Sequence, residues 1–462
     1  FQNLYFSALL SLPELTSDQV TQRVDSLLEE LGLFHVRNLK VGNSLSKTIS
    51  GGQRKRLNIS LELIRRPSVL FIDEPTSGLS SRDSDNIMTL LRELCFKGTI
   101  IFTVIHQPSS DIYKLFDQLI LLDVGGYSIY SGNPIDAVSY FKKSINHVTS
   151  HISACPSCGN INPEVIFNII ESKVIDEFGN PINDRRINPF EWFSKFRMQA
   201  ADVVETDTRI TPLTKARKPS LLLQFLVFFR RDFLSKLANR QYVAITLLEP
   251  VILAFILAYI VRFFPVSTKL ENTYHFSENV NLPSFIFIGI IVCLFMGLSL
   301  SAEEIFKDLK LLKREEFLLL SRFGYLSSKL VIQFLISFVQ TLLFVFPACF
   351  IMGNMEMFWY YFVVLFSSAC FANILALNIS SALSRINTIY ILIPILLIPQ
   401  LILGGIIVNF DKMNPSLARY GKVPIVGDFM ASRWAFEAAC LAQFRENAYD
   451  KQFFAIDKEI SK

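Results

Sequence analysis

Five long apolar runs fill the second half of the chain, and they limit its fold more than any other feature of the sequence. Each run is longer than the roughly 18 residues that a helix needs to cross a bilayer. In lipid such runs form helices, because a helix satisfies its own backbone hydrogen bonds. The sequence therefore predicts an all-α polytopic membrane domain over residues 241–408, with spans at 242–264, 283–301, 327–353, 358–383 and 388–408.

The basic residues between these runs predict the orientation of the chain. The connection between the second and third runs is rich in Lys and Arg, whereas the first outer connection holds only Lys269 among several acids. The positive-inside rule therefore places the N-terminal part in the cytoplasm and residues 409–462 outside. These basic flanks also account for the formal net charge of +4, so the charge does not indicate a nucleic-acid partner.

The first half of the chain has the pattern of an α/β protein. Strands at 69–73, 99–104 and 118–123 alternate with helices, after earlier helices at 1–12 and beyond Ser17. This alternation predicts a mostly parallel sheet with helices on both faces. Residues 142–218 are polar and poorly periodic, which predicts a linker, and 219–240 have the pattern of an amphipathic helix at the membrane interface.

Two short motifs in this first half indicate phosphate chemistry. The turn Ser50-Gly51-Gly52-Gln53 opens a basic helix, and the N–H groups at a helix start can hold a γ-phosphate. Asp73 and Glu74 follow a buried strand, and His106 follows the next one. Active sites of such sheets lie at the carboxyl ends of the strands, so these side chains are candidates for catalysis.

Nucleotide hydrolysis requires bound phosphates, a positioned Mg²⁺ and an activated water. We expect Asp73 to support Mg²⁺ through water, Glu74 to act as the general base, and His106 to contact the γ-phosphate and that water. Each motif has an ordinary alternative when taken alone: a simple turn, a strand exit or a packed histidine. Their order and their shared place at strand ends favour hydrolysis.

Three segments resemble motifs of one known family. Residues 49–56, 70–79 and 105–109 are similar to the signature, Walker B and H-loop motifs of the G subfamily of ABC transporters, the White/pleiotropic-drug-resistance type. The resemblance implies a P-loop NTPase-like nucleotide-binding domain over 1–141, with ATP and Mg²⁺ as cofactors. It also implies a dimer of half-transporters, in which residues 50–53 contact the partner's ATP, and export of a hydrophobic or amphipathic compound such as a lipid, sterol or xenobiotic.

The chain departs from this family pattern at three points. The Walker A motif and the Q-loop glutamine are absent from 1–141, and the sixth span expected after 409–462 is missing. We therefore expect a chain truncated at both ends that has no ATPase activity alone, since it cannot hold its own β- and γ-phosphates. Ser80 stands where the family has the D-loop aspartate, which puts the communication between paired ATP sites in doubt.

Two functions fit these features. The first is an ATP-driven exporter in the plasma membrane. The alternative is a non-transporting membrane protein with a regulatory or degenerate ABC ATPase domain, which Ser80 favours and which Glu74, His106 and the signature argue against. A soluble ATPase of DNA repair or translation is excluded by the apolar runs.

The cysteines do not indicate a disulfide framework. Seven of them are scattered along the chain. Cys155 and Cys158 have the spacing of half a zinc site, with His147 and His151 as the nearby candidate ligands. A structural zinc needs four ligands, and we favour a loop with two free thiols over a zinc site.

Polar residues within and between the runs leave further alternatives open. Glu249 either forms a salt bridge with an Arg of the amphipathic helix, which is favoured, or lines a substrate path. Gln340, Asn373 and Asn378 are expected to form hydrogen bonds between helices. The charged stretch 303–316 is either a solvated cytoplasmic face or, as the family resemblance implies, a coupling helix that docks on the nucleotide-binding domain; we favour the second.

Overall fold

The computed structural model describes residues 1–42, 48–145, 160–175, 180–199, 218–264, 279–318, 320–383, 385–414, 423–447 and 460. The chain consists of two compact units, Phe1–Arg217 and Lys218–Lys462. Cys155, Cys158, His147, His151 and Lys269 lie outside the described residues. The choice between free thiols and zinc therefore stays a prediction.

The first unit combines helices and strands in alternation. Its described helices are α1 (Gln2–Ser11), α2 (Ser17–Glu30), α3 (Gly51–Leu63), α4 (Ser81–Phe96), α5 (Ser110–Tyr113), α6 (Pro134–Ser144), α7 (Glu164–Ile170) and α8 (Pro189–Gln199). Its described strands are β1 (Val69–Asp73), β2 (Ile100–Val104), β3 (Leu119–Asp123), β4 (Tyr127–Gly132), β5 (Lys173–Ile175) and β6 (Pro181–Arg185).

Helix α2 shows how the sequence defines an element of this unit. The Thr16 hydroxyl accepts a hydrogen bond from the Gln19 N–H, and the Gln19 side chain accepts one from the Thr16 N–H. Such a reciprocal cap satisfies donors that lack a partner at a helix start. One face of the helix is buried in the core, through Val20, Val24, Leu27 and Leu28. The predicted helices at 1–12 and beyond Ser17 are confirmed.

The described strands form three two-stranded sheets, of which the β1–β2 pair is parallel and the other two are antiparallel, so one mostly parallel sheet is not formed within the described residues. β1 and β2 pair in parallel, with Asp73 opposite Val104, while β3 and β4 form an antiparallel hairpin. Leu70 is buried against the helices, but Phe71 on the opposite face is 76% exposed and Phe102 beside it is 48% exposed. Successive side chains of a strand point to opposite faces, so one row packs and the other stays open. The prediction of helices on both faces is wrong for the described chain.

Except for Lys218, the described part of residues 142–218 belongs to the first unit and is not a linker. Helices α7 and α8 share one apolar core with β4 and α6. Trp192 is fully buried, and its ring meets that of Phe141 edge-on at 5.2 Å. Arg185 pairs with Asp123 at 2.7 Å. The apolar residues of this region stand in short clusters without a long period, which is why the sequence pattern does not predict a core here.

The second unit is helical throughout its described residues. Its helices are α9 (Leu221–Ala238), α10 (Arg240–Val261), α11 (Leu282–Ser301), α12 (Glu304–Glu315), α13 (Arg322–Met352), α14 (Phe358–Ala382), α15 (Ile386–Ile402), α16 (Ile425–Asp428) and α17 (Ala431–Glu446). Among the described residues, 4 helical segments are long and apolar enough to cross a membrane: Arg240–Val261, Leu282–Glu315, Arg322–Met352 and Met355–Ala382. Each overlaps one of the first four predicted runs and covers all of it except, at most, its last three residues.

The fifth apolar run forms a shorter helix than predicted. Helix α15 has 17 residues and ends at Ile402 instead of residue 408. The chain then turns at Gly405, which has a φ of 87°. The helix is about 26 Å long, below the roughly 30 Å of the hydrocarbon core, so its role as a fifth span stays a prediction.

Helix α11 lies at the centre of this unit. It packs against α10, α13, α14, α15 and α17, and most of its side chains are buried. Gly297 allows its close approach to α14, because a Cβ there would lie 2.6 Å from the Ala369 carbonyl oxygen. Small residues at such contacts are typical of membrane helix packing.

Helix α17, in the segment predicted to lie outside the membrane, packs on the same bundle. The Tyr361 hydroxyl of α14 donates to Gln443 at 2.6 Å. The Ser432 hydroxyl donates to the Gln400 carbonyl of α15, also at 2.6 Å. This segment is thus tied to the helices that precede it in the chain.

Two of the three polar residues that are predicted to form hydrogen bonds between helices do so. Gln340 donates to a backbone carbonyl of α10 at 3.3 Å. Asn373 of α14 accepts from Ser301 of α11 and donates to Ser337 of α13, both at 2.8 Å. Asn378 donates to a carbonyl of its own helix, so the prediction for this residue is wrong.

A buried ion cluster joins α9, α12 and α13. The Lys329 side chain is 4% exposed, and its Nζ lies 2.9 Å from Asp232, 3.1 Å from Glu304 and 2.9 Å from Asp308. Lys236 of α9 also pairs with Glu304. We call these five residues the Lys329 cluster. Because one side of α12 is buried in it, the stretch 303–316 is not simply a solvated face.

Candidate functional site

The carboxyl ends of β1 and β2 bring three predicted site residues to one edge of the sheet. Asp73 is the last residue of β1 and is opposite Val104, the last residue of β2. The Glu74 N–H donates to the Val104 carbonyl at 2.9 Å, which holds the start of the turn against β2. His106 follows two residues beyond Val104. Asp73, Glu74 and His106 are therefore adjacent and exposed, as the strand pattern predicts.

The backbone leaves both strands through sharp turns. Glu74 has a φ of 43° and Gln107, next to His106, a φ of 47°. Residues other than Gly seldom adopt this left-handed region, and they do so mainly where surrounding contacts impose it. The two turns direct the chain away from the sheet immediately after the strands and leave the acidic and imidazole side chains at the edge.

The carboxylates of Asp73 and Glu74 have no hydrogen-bond or ion-pair partner among the described residues. Two acceptor groups with free oxygens at a strand end fit an Mg²⁺ that is held by one or two carboxylates together with phosphates and water. Within the described chain, no group of three or more His, Cys, Asp or Glu residues is placed to enclose a metal. Asp73 is thus suited to an open Mg²⁺ site that a nucleotide completes.

The predicted signature turn forms the start of α3. The Ser50 hydroxyl accepts from the Gln53 N–H at 3.1 Å, and the Gln53 side chain accepts from the Ser50 N–H at 2.9 Å. The hydroxyl proton of Ser50 is not used by this cap and can be donated to a phosphate oxygen. The first N–H groups of a helix also lack intrahelical partners, so Gly51 and Gly52 can present theirs to the same anion.

Ser80, at the D-loop position, caps helix α4. Its hydroxyl accepts from the Asp83 N–H at 3.2 Å and donates to the Asp83 carboxylate at 2.9 Å. The Asp83 side chain in turn packs against Gly52 of the signature turn, where an added Cβ would lie 2.8 Å from its Oδ1. A single residue, Asp83, therefore connects Ser80 to the signature turn.

This contact predicts different results for the two signature glycines. Gly52→Ala will destabilise the protein by about 1–3 kcal/mol, because the Ser80 hydrogen bond holds Asp83 in the path of the new methyl group. Gly51→Ala is the matched control: its Cβ would lie 3.4 Å from Leu79, an ordinary contact. We expect that variant to be close to neutral, because Gly51 is the first residue of α3 and not an interior helix position. Thermal unfolding of the two full-length variants measures the difference, and equal melting temperatures would show that Asp83 moves freely.

Two residues of this site are missed by sequence reasoning. The Lys55 Nζ of α3 donates to the Glu74 carbonyl at 2.7 Å, and Asp83 packs on Gly52. Lys55 stands in a run of basic residues in which no sequence signal separates it from Arg54 and Arg56. Both contacts depend on how α3, α4 and β1 pack together.

Two segments of the chain match two family models. Residues 2–77 match the ABC transporter model and residues 223–444 match the ABC-2 type transporter model. The first segment contains the candidate site up to Ser77, and the second contains α10 to α16 and most of α9 and α17.

The chain is similar to proteins that are named as ABC transporters of the G type. The chain is 28% identical to the broad substrate specificity ATP-binding cassette transporter ABCG2 of Rattus norvegicus, over 92% of this chain and 67% of that protein. It is 43% identical to ABC transporter G family member 24 of Dictyostelium discoideum over 41% of this chain, and 44% identical to ABC transporter G family member 14 of Arabidopsis thaliana over 30%. The last two matches span 17% and 22% of those proteins.

The ABC transporter segment precedes the ABC-2 type transporter segment, which is the order that the motifs predict. It is also the order of the α/β unit and the helical unit in the chain. A segment that matches the ABC transporter model, with Asp73 and Glu74 at one edge of a parallel strand pair, precedes a bundle of apolar helices. The predicted resemblance is thereby confirmed. The chain thus combines an ABC transporter segment with an ABC-2 type transporter segment and is similar to ABC transporters of the G type.

Proposed function

We propose that the intact protein couples ATP hydrolysis to the export of a hydrophobic or amphipathic compound, such as a lipid, sterol or xenobiotic, and works as a dimer of half-transporters. The observation that carries the ATPase part is the pair of unpartnered carboxylates, Asp73 and Glu74, at the end of β1 with His106 beside them. The export part is supported by the relative from rat, whose name describes a transporter of broad substrate specificity.

Each residue of the site has a distinct role in this proposal. Asp73 would hold Mg²⁺, which would supply positive charge to balance that of the phosphates. Glu74 accepts a proton from the attacking water, and His106 contacts the γ-phosphate. Ser50 and the N–H groups of Gly51 and Gly52 bind the γ-phosphate of the partner's ATP. Both subunits are then needed to complete one site.

We propose that α12 transmits conformational changes of the nucleotide-binding domain to the membrane helices. The Lys329 cluster fixes α12 to α9, the helix that leads from the first unit, and to α13, which has the length of a span. A displacement of α12 would therefore be passed to both helices. This arrangement supports the coupling-helix interpretation of 303–316, with the first unit on the cytoplasmic side of the plasma membrane.

The path of the substrate is proposed to include Glu249. The predicted salt bridge of this residue is wrong, because Glu249 has no ion pair within the described chain. It is half-buried on α10, and an acid at that depth faces a bundle interior, a partner or a water-filled cavity. A path between two subunits would provide such a setting.

Ser80 gives little support to the alternative of a degenerate ATPase. Its hydroxyl caps α4, a task that serine performs about as well as aspartate. The start of α4 is thus preserved despite the departure from the family pattern.

The test is ATP turnover by the full-length protein in lipid nanodiscs, with and without candidate amphipathic compounds. We expect Mg²⁺-dependent turnover that such compounds stimulate, together with ATP-dependent uptake of the same compounds into inside-out vesicles. Turnover without any uptake would favour the regulatory alternative, and absence of turnover would contradict the proposal.

A further inference from the structure

One hydrogen bond joins the signature helix directly to the candidate general base. The Lys55 ammonium of α3 donates to the Glu74 carbonyl oxygen at 2.7 Å. A bond from a charged donor is about twice as strong as one between neutral groups. The contact spans 19 residues of sequence and connects two motifs that have separate roles in the proposed mechanism.

Glu74 needs such support because of its backbone conformation. A φ of 43° is unfavourable for a residue with a Cβ. Its N–H is held by the Val104 carbonyl at 2.9 Å, and its own carbonyl accepts from Lys55 and, at 3.3 Å, from the Ser77 N–H. The peptide groups on both sides of Glu74 are therefore fixed, and they determine the direction in which its carboxylate leaves the turn.

We propose that Lys55 is a positioning residue for Glu74 and that it links the two ATP sites of the dimer. This inference rests on the proposed function, in which the start of α3 binds the partner's ATP while Glu74 serves the ATP of its own subunit. Ser50 and Lys55 lie about 7.5 Å apart along one helix. When α3 shifts toward the partner's phosphate, Lys55 moves with it and adjusts the Glu74 turn. The route does not require an aspartate at position 80.

The first test compares two substitutions in the full-length protein. Lys55→Met keeps the length of the side chain but removes the donor, and Lys55→Arg retains a donor. We expect Lys55→Met to lower kcat for ATP about tenfold or more, because a small displacement of a catalytic group has a large effect on rate. The KM for ATP should stay within about twofold, and Lys55→Arg should recover most of the rate. A loss that appears in KM, or a failure of Arg to restore the rate, would overturn the inference.

Mixed dimers with two affinity tags provide the second test. One dimer carries Lys55→Met and Glu74→Gln in the same subunit beside an unmodified partner, and the other carries them in different subunits. If Lys55 positions the base of its own subunit, the same-subunit dimer keeps the activity of a dimer with Glu74→Gln alone. The different-subunit dimer loses that activity about tenfold, because its remaining base is misplaced. The opposite pattern would assign Lys55 to the signature alone.

The two proposals fail in different ways. Unmodified protein without ATP turnover in lipid contradicts the transporter itself. Normal turnover that Lys55→Met leaves unchanged contradicts only the positioning role of Lys55. If the single Glu74→Gln dimer is already inactive, the kcat and KM of the two homodimeric Lys55 variants decide the question.

Discussion

Glu74→Gln will lower ATP turnover of the full-length protein by about 10²–10⁴-fold, the range expected when a general base is lost. The amide has nearly the same shape as the carboxylate but cannot accept a proton from water. The side chain is exposed and has no partner among the described residues, so its replacement removes no packing. ATP should still bind, because the phosphate contacts of the signature and the Mg²⁺ position of Asp73 are unchanged.

The measurement is steady-state phosphate release in lipid nanodiscs, together with binding of a fluorescent ATP analogue. Asp73→Asn is the matched control one residue away. We expect it to raise the Mg²⁺ concentration needed for half-maximal turnover, whereas Glu74→Gln should leave that concentration unchanged. Turnover within about threefold of the unmodified protein would show that another group activates the water.

Lys329→Met will have the largest effect on stability. Removing one partner from a buried ion pair typically costs about 3–5 kcal/mol, and here the substitution leaves three carboxylates around an apolar side chain. Lys236 can compensate only Glu304 among them. The expected result is a large fall in the melting temperature of the purified protein in detergent.

Lys307→Met is the control for this prediction. Lys307 pairs with Glu303 one helical turn away, but its side chain is 62% exposed, and such pairs contribute about 0.3–0.5 kcal/mol. Adding Asp308→Asn to Lys329→Met should recover part of the lost stability, since one buried charge is removed. Equal melting temperatures for the two lysine variants would show that water reaches the Lys329 cluster.

The sequence predicts the elements that depend on local pattern. The starts of α2 and α3, the strands with acids at their ends and the first four long helices all follow from spacing and chemistry within a short stretch. The hydrogen bonds of Asn373 to neighbouring helices are also predicted, because a polar side chain in an apolar helix has few other partners.

Features that depend on distant contacts are not predicted. The Lys55 bond to Glu74 requires α3 and β1 to pack at one specific distance, and Lys329 reaches Asp232 across 97 residues of sequence. The core around Trp192 is hidden because its apolar residues come from separate short segments. The open face at Phe71 is the opposite case, in which the sequence predicts a covering helix that the described residues do not provide. An alternation of helices and strands does not determine which strand face a helix covers.

The shared ATP site is tested most directly by complementation between two differently tagged subunits in lipid. Gly51→Asp disables the signature by placing a carboxylate where the phosphate binds, in a position where a Cβ meets only Leu79 at 3.4 Å. Glu74→Gln disables the base. When the two changes are in different subunits, both fall in the same composite site and the other site stays intact, so we predict measurable ATP turnover. When both changes are in one subunit, each of the two sites is damaged and we predict none. Activity in the second dimer and its absence in the first would contradict a site shared between subunits.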